Sequence, residues 1–236
     1  MLKTFTFDGK NTSDFHVKVG DSGIYEAPVR SVQHSYIPRK NGSFITDNRY
    51  FEDVIIFYQA VMTEGFGESF DDLRAFLSYH ANTYFRLEDE FRQNHFRMAK
   101  FEKISGLRFA KQKARFDIYF RCKPQLFLKA GESSLTFTDL GGEIENPTLF
   151  ESKPLIRVTG QNGDVYINDI VISVENSPYE FIDIDCELMK CTHENDDADK
   201  YVSFSGNDFP VLKSGTNRIS VSTETQAIIT PRWYTL

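Results

Sequence analysis

The chain has 236 residues, 40% of them apolar and 26% charged, which excludes disordered and collagen-like architectures and leaves one large domain or two small ones. No apolar run approaches the roughly 20 residues of a membrane helix. The opening Met1 to Asp8 is too polar for a secretory signal, and three cysteines without CxxC or zinc spacing indicate a reduced, cytosolic birthplace. The net charge of −7 is uneven: residues 1–130 carry 20 Lys+Arg against 16 Asp+Glu, and residues 131–236 carry 7 against 18. That swing from +4 to −11 suggests two domains.

Short strands are expected at Thr4 to Asp8, Phe15 to Val19 and Val29 to Ser35, with turns at Gly9-Lys10-Asn11 and Pro38-Arg39-Lys40-Asn41-Gly42. Asp53 to Met62 is almost unbroken apolar sequence and reads as a strand buried on both faces. Ser69-Phe70-Asp71-Asp72 fits a capping box. Phe70, Leu73, Phe76 and Leu77 then predict one amphipathic helix to about Asn82. Ala114, Phe116, Ile118, Phe120 and Cys122 alternate with Arg115, Asp117, Tyr119, Arg121 and Lys123, a strand with its apolar side inward that Pro124 should end.

The stretch Ala130 to Asn146 is the candidate boundary, giving domains 1–130 and 131–236. Beyond it, Pro154 to Thr159 and Val165 to Val174 flank Gly160-Gln161-Asn162-Gly163 as a hairpin. Ile182, Ile184, Cys186 and Leu188 alternate with Phe181, Asp183, Asp185 and Glu187. The second half therefore reads as a β-sandwich, and the whole chain as mainly β with one N-terminal helix. The 22 phenylalanines and 11 tyrosines suit thin cores filled by large rings.

Chemistry is scarce. Gly65-Phe66-Gly67 lacks the third glycine of a dinucleotide loop, and Glu68, Asp71 and Asp72 would repel a phosphate there, so it reads as a turn. His193-Glu194-Asn195-Asp196-Asp197 has neither the second histidine of a zinc protease nor the glycine and distal glutamate of a calcium loop, and reads as a solvated acidic loop. Cys186 sits on an apolar face as a small buried hydrophobe. Asp183, Asp185 and Glu187 share a strand face, the one carboxylate grouping a hydrolase could use, but their alternation with isoleucine already explains them as the wet side. Arg86 to Lys123 holds 11 basic and 5 acidic residues interleaved with Tyr84, Phe85, Phe91, Phe96, Phe101 and Phe109. Nucleic-acid binding would use such a segment, yet strands with Phe inside and Lys/Arg in water account for it. No catalytic residue, metal site or cofactor is expected, and the chain does not read as an enzyme.

The order of short motifs resembles the distal tail protein (Dit) family of long-tailed bacteriophages, nearly end to end. The motifs are Phe5-Thr6-Phe7-Asp8-Gly9-Lys10 with Ser13-Asp14-Phe15, Ile37-Pro38-Arg39-Lys40-Asn41-Gly42, Leu73 to Leu77, Tyr84-Phe85-Arg86-Leu87-Glu88-Asp89, Phe96-Arg97-Met98-Ala99 and Phe120-Arg121-Cys122-Lys123-Pro124-Gln125. In the second half they are Asn146-Pro147-Thr148, Ser152-Lys153-Pro154, Ile182 to Glu187, Asn207-Asp208-Phe209-Pro210-Val211-Leu212, Gly215-Thr216-Asn217 and Pro231-Arg232-Trp233-Tyr234. The turn at Pro38 lacks the family's following glycine. Trp233 is expected to plug the open end of the sandwich.

The resemblance implies a homo-hexameric ring at the virion tail tip, made in the bacterial host cytoplasm, with a prophage origin left open. The N-terminal domains would form the ring, joining the major tail tube protein to the tail-associated hub protein, with DNA crossing the lumen without specific binding and no membrane insertion. A galectin-like sandwich would point outward, carrying receptor-binding proteins in some relatives; the 106 residues after Ala130 leave no room for an inserted carbohydrate module. Arg92, Arg97 and Lys100, in the basic aromatic segment, are the candidate ring-contact residues. The alternative is a carbohydrate-binding protein that uses the galectin-like half for host-receptor recognition.

Overall fold

The computed structural model describes residues 2–110, 113–206 and 208–236. Among these residues the protein is mainly β with one α-helix, and it divides into two compact units, Met1–Leu126 with the terminal Leu236, and Phe127–Thr235.

In the first unit a sheet runs in the order Lys10–Asn11, Phe5–Phe7, Phe85–Asp89, His95–Ala110, Lys113–Leu128, Val54–Met62, Val17–Gly23. Just before Phe5, Lys3 exchanges two backbone hydrogen bonds of 2.9 Å with Val19, so the start of the chain ties to the strand at the other end of this path. Across the central pair, Val54, Ile56, Tyr58, Ala60 and Met62 stand opposite Cys122, Phe120, Ile118, Phe116 and Ala114, and all ten are buried. Directly opposed apolar pairs are what hold such a ladder in register. Phe5 packs on Tyr58 and Phe120 with ring centroids 4.7 and 5.4 Å apart, and Phe7 meets Phe120 at 4.9 Å. Each buried ring contributes about 1.5–3 kcal/mol.

Val54–Met62 is buried on one face only. Ile55 is exposed and Phe57 half-exposed, because antiparallel neighbours on both edges leave the second face of the sheet open. Pro124 does not end its strand, which continues to Leu128. Pairing with Val54–Met62 stops at Cys122, so the proline removes no donor from that ladder. Thr12–Phe15 is a 3-10 turn rather than the start of a strand.

The helix spans Glu68–Tyr79, with Gly67 at the N-cap and no side-chain capping bond. Ser69 does not cap it, because it is the second residue inside the helix rather than the residue before it; its N–H donates to the Gly65 carbonyl at 3.2 Å. Phe70, Leu73 and Leu77 face the core as their spacing predicts. The helix stops at Tyr79, short of Asn82; the next residue, His80, is buried, its ring nitrogens 2.7 Å from the Phe76 carbonyl and 2.9 Å from Asp8 Oδ2.

The second unit is a β-sandwich. One sheet runs Leu135–Phe137, Gln226–Thr230, Leu155–Thr159, Phe181–Asp185, Lys190–His193, Asp196–Asp197. The other runs Gly142–Asn146, Gly215–Val221, Gly163–Ile167, Ile170–Val174, Val202–Phe204. Alternate residues (Ile156 and Val158, Val165 and Ile167, Ile182 and Ile184, Ala227 and Ile229) fill the space between them. Gly160 to Gly163 is therefore no hairpin turn: it carries the chain from one sheet to the other. Val165 to Val174 is two strands, folded at Asn168, which takes φ 52°. Both hydrogen-bonded partners of Leu155–Thr159 are strands distant in sequence, a pairing no local turn signal reveals.

Buried polar residues tie one end of the sandwich together. Asn217 Nδ2 donates to the Lys213 and Gly215 carbonyls, and its Oδ1 accepts from Asn168 Nδ2 and the Lys213 N–H, all at 2.8–2.9 Å. Asn146 bonds to Phe150, Leu212 and Thr148, and Ser152 Oγ donates to the Pro231 carbonyl at 2.7 Å. Gly131 lies so close to this end that a Cβ there would stand 2.3 Å from the Trp233 nitrogen. Asn207, which opens one of the family-like motifs, lies outside the described residues.

Candidate interaction surface

The side chains with chemical potential are occupied structurally. Asp183 accepts both arms of Arg157 (2.7 and 2.8 Å), and Asp185 both arms of Arg232 (2.8 and 2.9 Å). Burial alone would raise Asp185, but the hydrogen bonds from Arg232 and from the Leu188 and Glu187 N–H groups outweigh it and hold the carboxyl below its ordinary value. Glu187 pairs with Lys153 at 3.5 Å. The carboxylate row is thus an ion-paired sheet face. All three cysteines are free and buried, and burial pushes each thiol up to about 12, away from the reactive thiolate. Among the described residues no group of three His, Cys, Asp or Glu is placed to hold a metal, and no helix is long and apolar enough to cross a membrane. The acidic run at His193 is solvated as expected but is a tight hairpin rather than a loop: Lys190–His193 pairs with Asp196–Asp197 across the turn Glu194-Asn195, with Glu194 at φ 51°. Trp233 is buried, so the chain's one tryptophan offers no platform to a sugar.

The three candidate ring-contact residues do not share one environment. Arg92 and Lys100 are half-buried, and the Arg92 guanidinium lies over the Tyr25 ring at 4.7 Å. Arg97 is 5% exposed and its Nη1 has no hydrogen-bond partner among the described residues; burial lowers its pKa from the ordinary arginine value. It lines a cavity of about 10 Å³ with Tyr58, Asp89, Arg92 and His95. The expected alternation is inverted here: on His95–Ala110, Arg97 and Ala99 face inward, while Phe96 lies under the Arg86 guanidinium at 3.8 Å. Of the segment's other aromatics, Phe85, Phe91 and Phe101 pack partly against the core, and Phe109 is exposed.

The strand expected over Val29 to Ser35 and the turn at Pro38 to Gly42 are present, but the partner strand and the exposed apolar surface it carries were not expected from the sequence. Arg30–Tyr36 and Ser43–Phe51 form a two-stranded sheet of their own, a size that is at best marginally stable alone. It is braced by Arg30, both arms of which meet Asp47 at 2.9 and 2.6 Å; that contact and the Arg49 N–H hold Asp47 at about 2. Tyr36 (79% exposed), Phe44, Ile45 and Tyr50 stand in solvent. At the tip, Arg39 takes φ 66°, and Lys40 covers the Phe44 ring at 4.3 Å. Asn41-Gly42 between two β-prone runs was the available signal. At the base of the hairpin lies an open groove of about 300 Å³, lined by Val29, Ile55 and the stacked Phe57 and Tyr119 rings together with the carboxylates Glu26, Glu52 and Asp53.

No protein-family model and no curated protein matches the chain. Among solved structures, the Dit protein of phage SPP1, described as a paradigm of the hub adsorption apparatus in phages infecting Gram-positive hosts, superposes over 100% of both chains with a TM-score of 0.76 at 14% identity. Chains of the phage P2 baseplate in its activated conformation superpose with TM-scores of 0.53 (calcium form; 97% of this chain, 98% of that one, 9% identity) and 0.50 (strontium form; 97% of each, 10%). These neighbours are phage tail hub and baseplate proteins, and the chain has the Dit fold from end to end.

Proposed function

We propose that the chain is a structural protein of a phage tail tip, located in the virion. Copies of it form a hexameric ring that joins the tail tube to the tail-associated hub and leaves a lumen for DNA. In this reading residues 1–130 build the ring, and residues 131–236, as a galectin-like domain, face outward and offer a dock for receptor-binding proteins. Its work is contact rather than catalysis. The observation that carries the reading is the full-length superposition on SPP1 Dit, which spans both units without an insertion on either side large enough to lower coverage. The ion-paired carboxylates and buried thiols support it by leaving the ordinary hydrolytic groups engaged elsewhere.

The test is absolute mass by light scattering on the purified chain, alone and with purified tube and hub proteins. A species near 164 kDa, six chains of 27.3 kDa, is expected, either alone or once a partner is added. A 27.3 kDa species that also fails to join tube or hub protein overturns the proposal.

A further inference from the structure

We propose that the tip of the Arg30–Tyr36/Ser43–Phe51 hairpin of one copy docks in the carboxylate-lined groove at the hairpin base of the next copy. The inference rests on the reading that copies of this chain assemble, and names the contact through which they do so.

The two surfaces match in chemistry. The tip combines apolar Tyr36, Ile37 and Phe44 with the cations of Arg39 and Lys40, all exposed. The groove combines apolar Val29, Ile55 and Phe57 with the anions of Glu26, Glu52 and Asp53. Asp53 accepts a hydrogen bond from the Tyr84 hydroxyl at 2.6 Å, whereas Glu26 and Glu52 make no ion pair among the described residues. Arg39 likewise has no acidic partner among them, and Lys40 is engaged only with a ring. Two cations thus meet a site whose free anions among the described residues are Glu26 and Glu52, Asp53 being held by Tyr84 with Arg121 near it and the Tyr119 ring lying under Lys103 at 4.9 Å. Opposite charge around an apolar contact sets register and partner choice.

The contact cannot form within one copy. Ser43 to Phe51 spans eight steps of strand, roughly 26 Å, and so holds the tip far from its own base. Tip and groove are different patches, so the contact is head-to-tail, and repetition closes it into a ring or extends it into a filament. Arg39, a non-glycine residue in the left-handed region, keeps the tip in a conformation of the kind that clusters at binding sites.

The experiment uses the full chain, in whichever setting the wild type forms its ring, with tube or hub protein present if that is required. Three variants are compared by light scattering: tip reversal (Arg39→Glu with Lys40→Glu), groove reversal (Glu26→Lys with Glu52→Lys), and a chain carrying all four changes. Each reversal alone is expected to cut the mass sixfold, to 27.3 kDa, while near-ultraviolet circular dichroism stays that of the wild type. The four-change chain, with complementarity restored in the opposite sense, is expected to regain the ring. Rings that survive either single-sided reversal overturn the inference but leave the ring itself standing, as does loss without rescue in the four-change chain. A wild type that forms no ring under any of these conditions overturns the underlying functional reading as well.

Discussion

The first unit is cored by rings in tilted and edge-to-face contact, Phe5, Phe7, Tyr58 and Phe120, and the second by β-branched aliphatics between two sheets. The difference extends to polar groups. In the second unit Asn146, Ser152 and Asn217 are buried and bonded on every side. In the first, Arg97 is buried with a nitrogen that has no partner among the described residues, and a hairpin holds Tyr36, Phe44 and Tyr50 in solvent. The contrast lies in the interior polar groups and in the hairpin: the second unit also exposes Leu140, Leu149, Leu188 and Met189, but its buried asparagines are bonded, whereas the first unit's buried Arg97 is not fully so. A domain that must be stable alone and one that must be completed by a neighbour are expected to differ in this way.

That contrast is broken most forcefully from inside each core. Phe120→Ala removes the ring that Phe5, Phe7 and Tyr58 all touch, and should cost about 3–5 kcal/mol. Asn217→Ala strands the Lys213 N–H and two carbonyls in the second unit, and should cost about 3 kcal/mol. The single Trp233 reports the second unit by fluorescence, and near-ultraviolet tyrosine signal weights the first. Phe120→Ala is expected to lower the tyrosine-detected midpoint and leave the tryptophan-detected one in place, and Asn217→Ala to do the reverse. For units of this size the drop exceeds about 12 °C. Equal shifts by both probes would show that the units melt as one.

Strands with strict alternation were legible from sequence. Ala114 to Cys122 and the Phe70–Leu73–Leu77 helix face emerge where their spacing puts them, because burial on one side writes a period into the chain. Long-range choices were not legible. Val165 to Val174 looks continuous because Asn168-Asp169 is a weak turn signal, and nothing local says that Gly160 to Gly163 changes sheets. The family-like motifs Asn146-Pro147-Thr148 and Gly215-Thr216-Asn217 were readable as words before their meaning was: each centres on a buried asparagine that holds loops to the sandwich. The candidate contact surface was the least legible, since exposed aromatics on Ser43–Phe51 obey no inside-outside rule, and Arg97 breaks the rule in the other direction.

The comparison can be sharpened by pH. A thiol ionises near 8.5–9 when unfolded, and burial pushes Cys122, Cys186 and Cys191 up to about 12. Between those values the folded chain holds protons that the unfolded chain releases. Stability is therefore complete below about pH 8.5 and is lost as pH rises toward 12, by at most ~1.4 kcal/mol per pH unit for each thiol. The second unit holds two such thiols and the first holds one, with Tyr58, also raised by burial, adding to the first only above pH 10. Urea midpoints read by Trp233 fluorescence between pH 8 and 10 should fall, and Cys186→Ala should halve the slope. A flat profile would mean that the second-unit thiols ionise in the folded chain as readily as in the unfolded one.

The smallest effect expected, and the one that bears most directly on the first unit's unfinished state, is at Arg97. Met has similar length and no charge to desolvate, and replacing buried charge by a well-packed apolar chain is commonly neutral or stabilising. Arg97→Met should leave the isolated chain unchanged or more stable by about 1–2 kcal/mol, read as a rise in the tyrosine-detected midpoint. If the guanidinium is kept for a neighbouring copy, the same variant weakens the ring, as Arg92→Glu and Lys100→Glu would from half-exposed positions, without loss of fold. Stability gained and assembly lost in one substitution would mark Arg97 as a group held for a partner. A loss of more than about 1 kcal/mol in the isolated chain would instead tie it to Asp89 and Tyr58 beside it, and place the first unit's polar interior on the same self-sufficient footing as the second's.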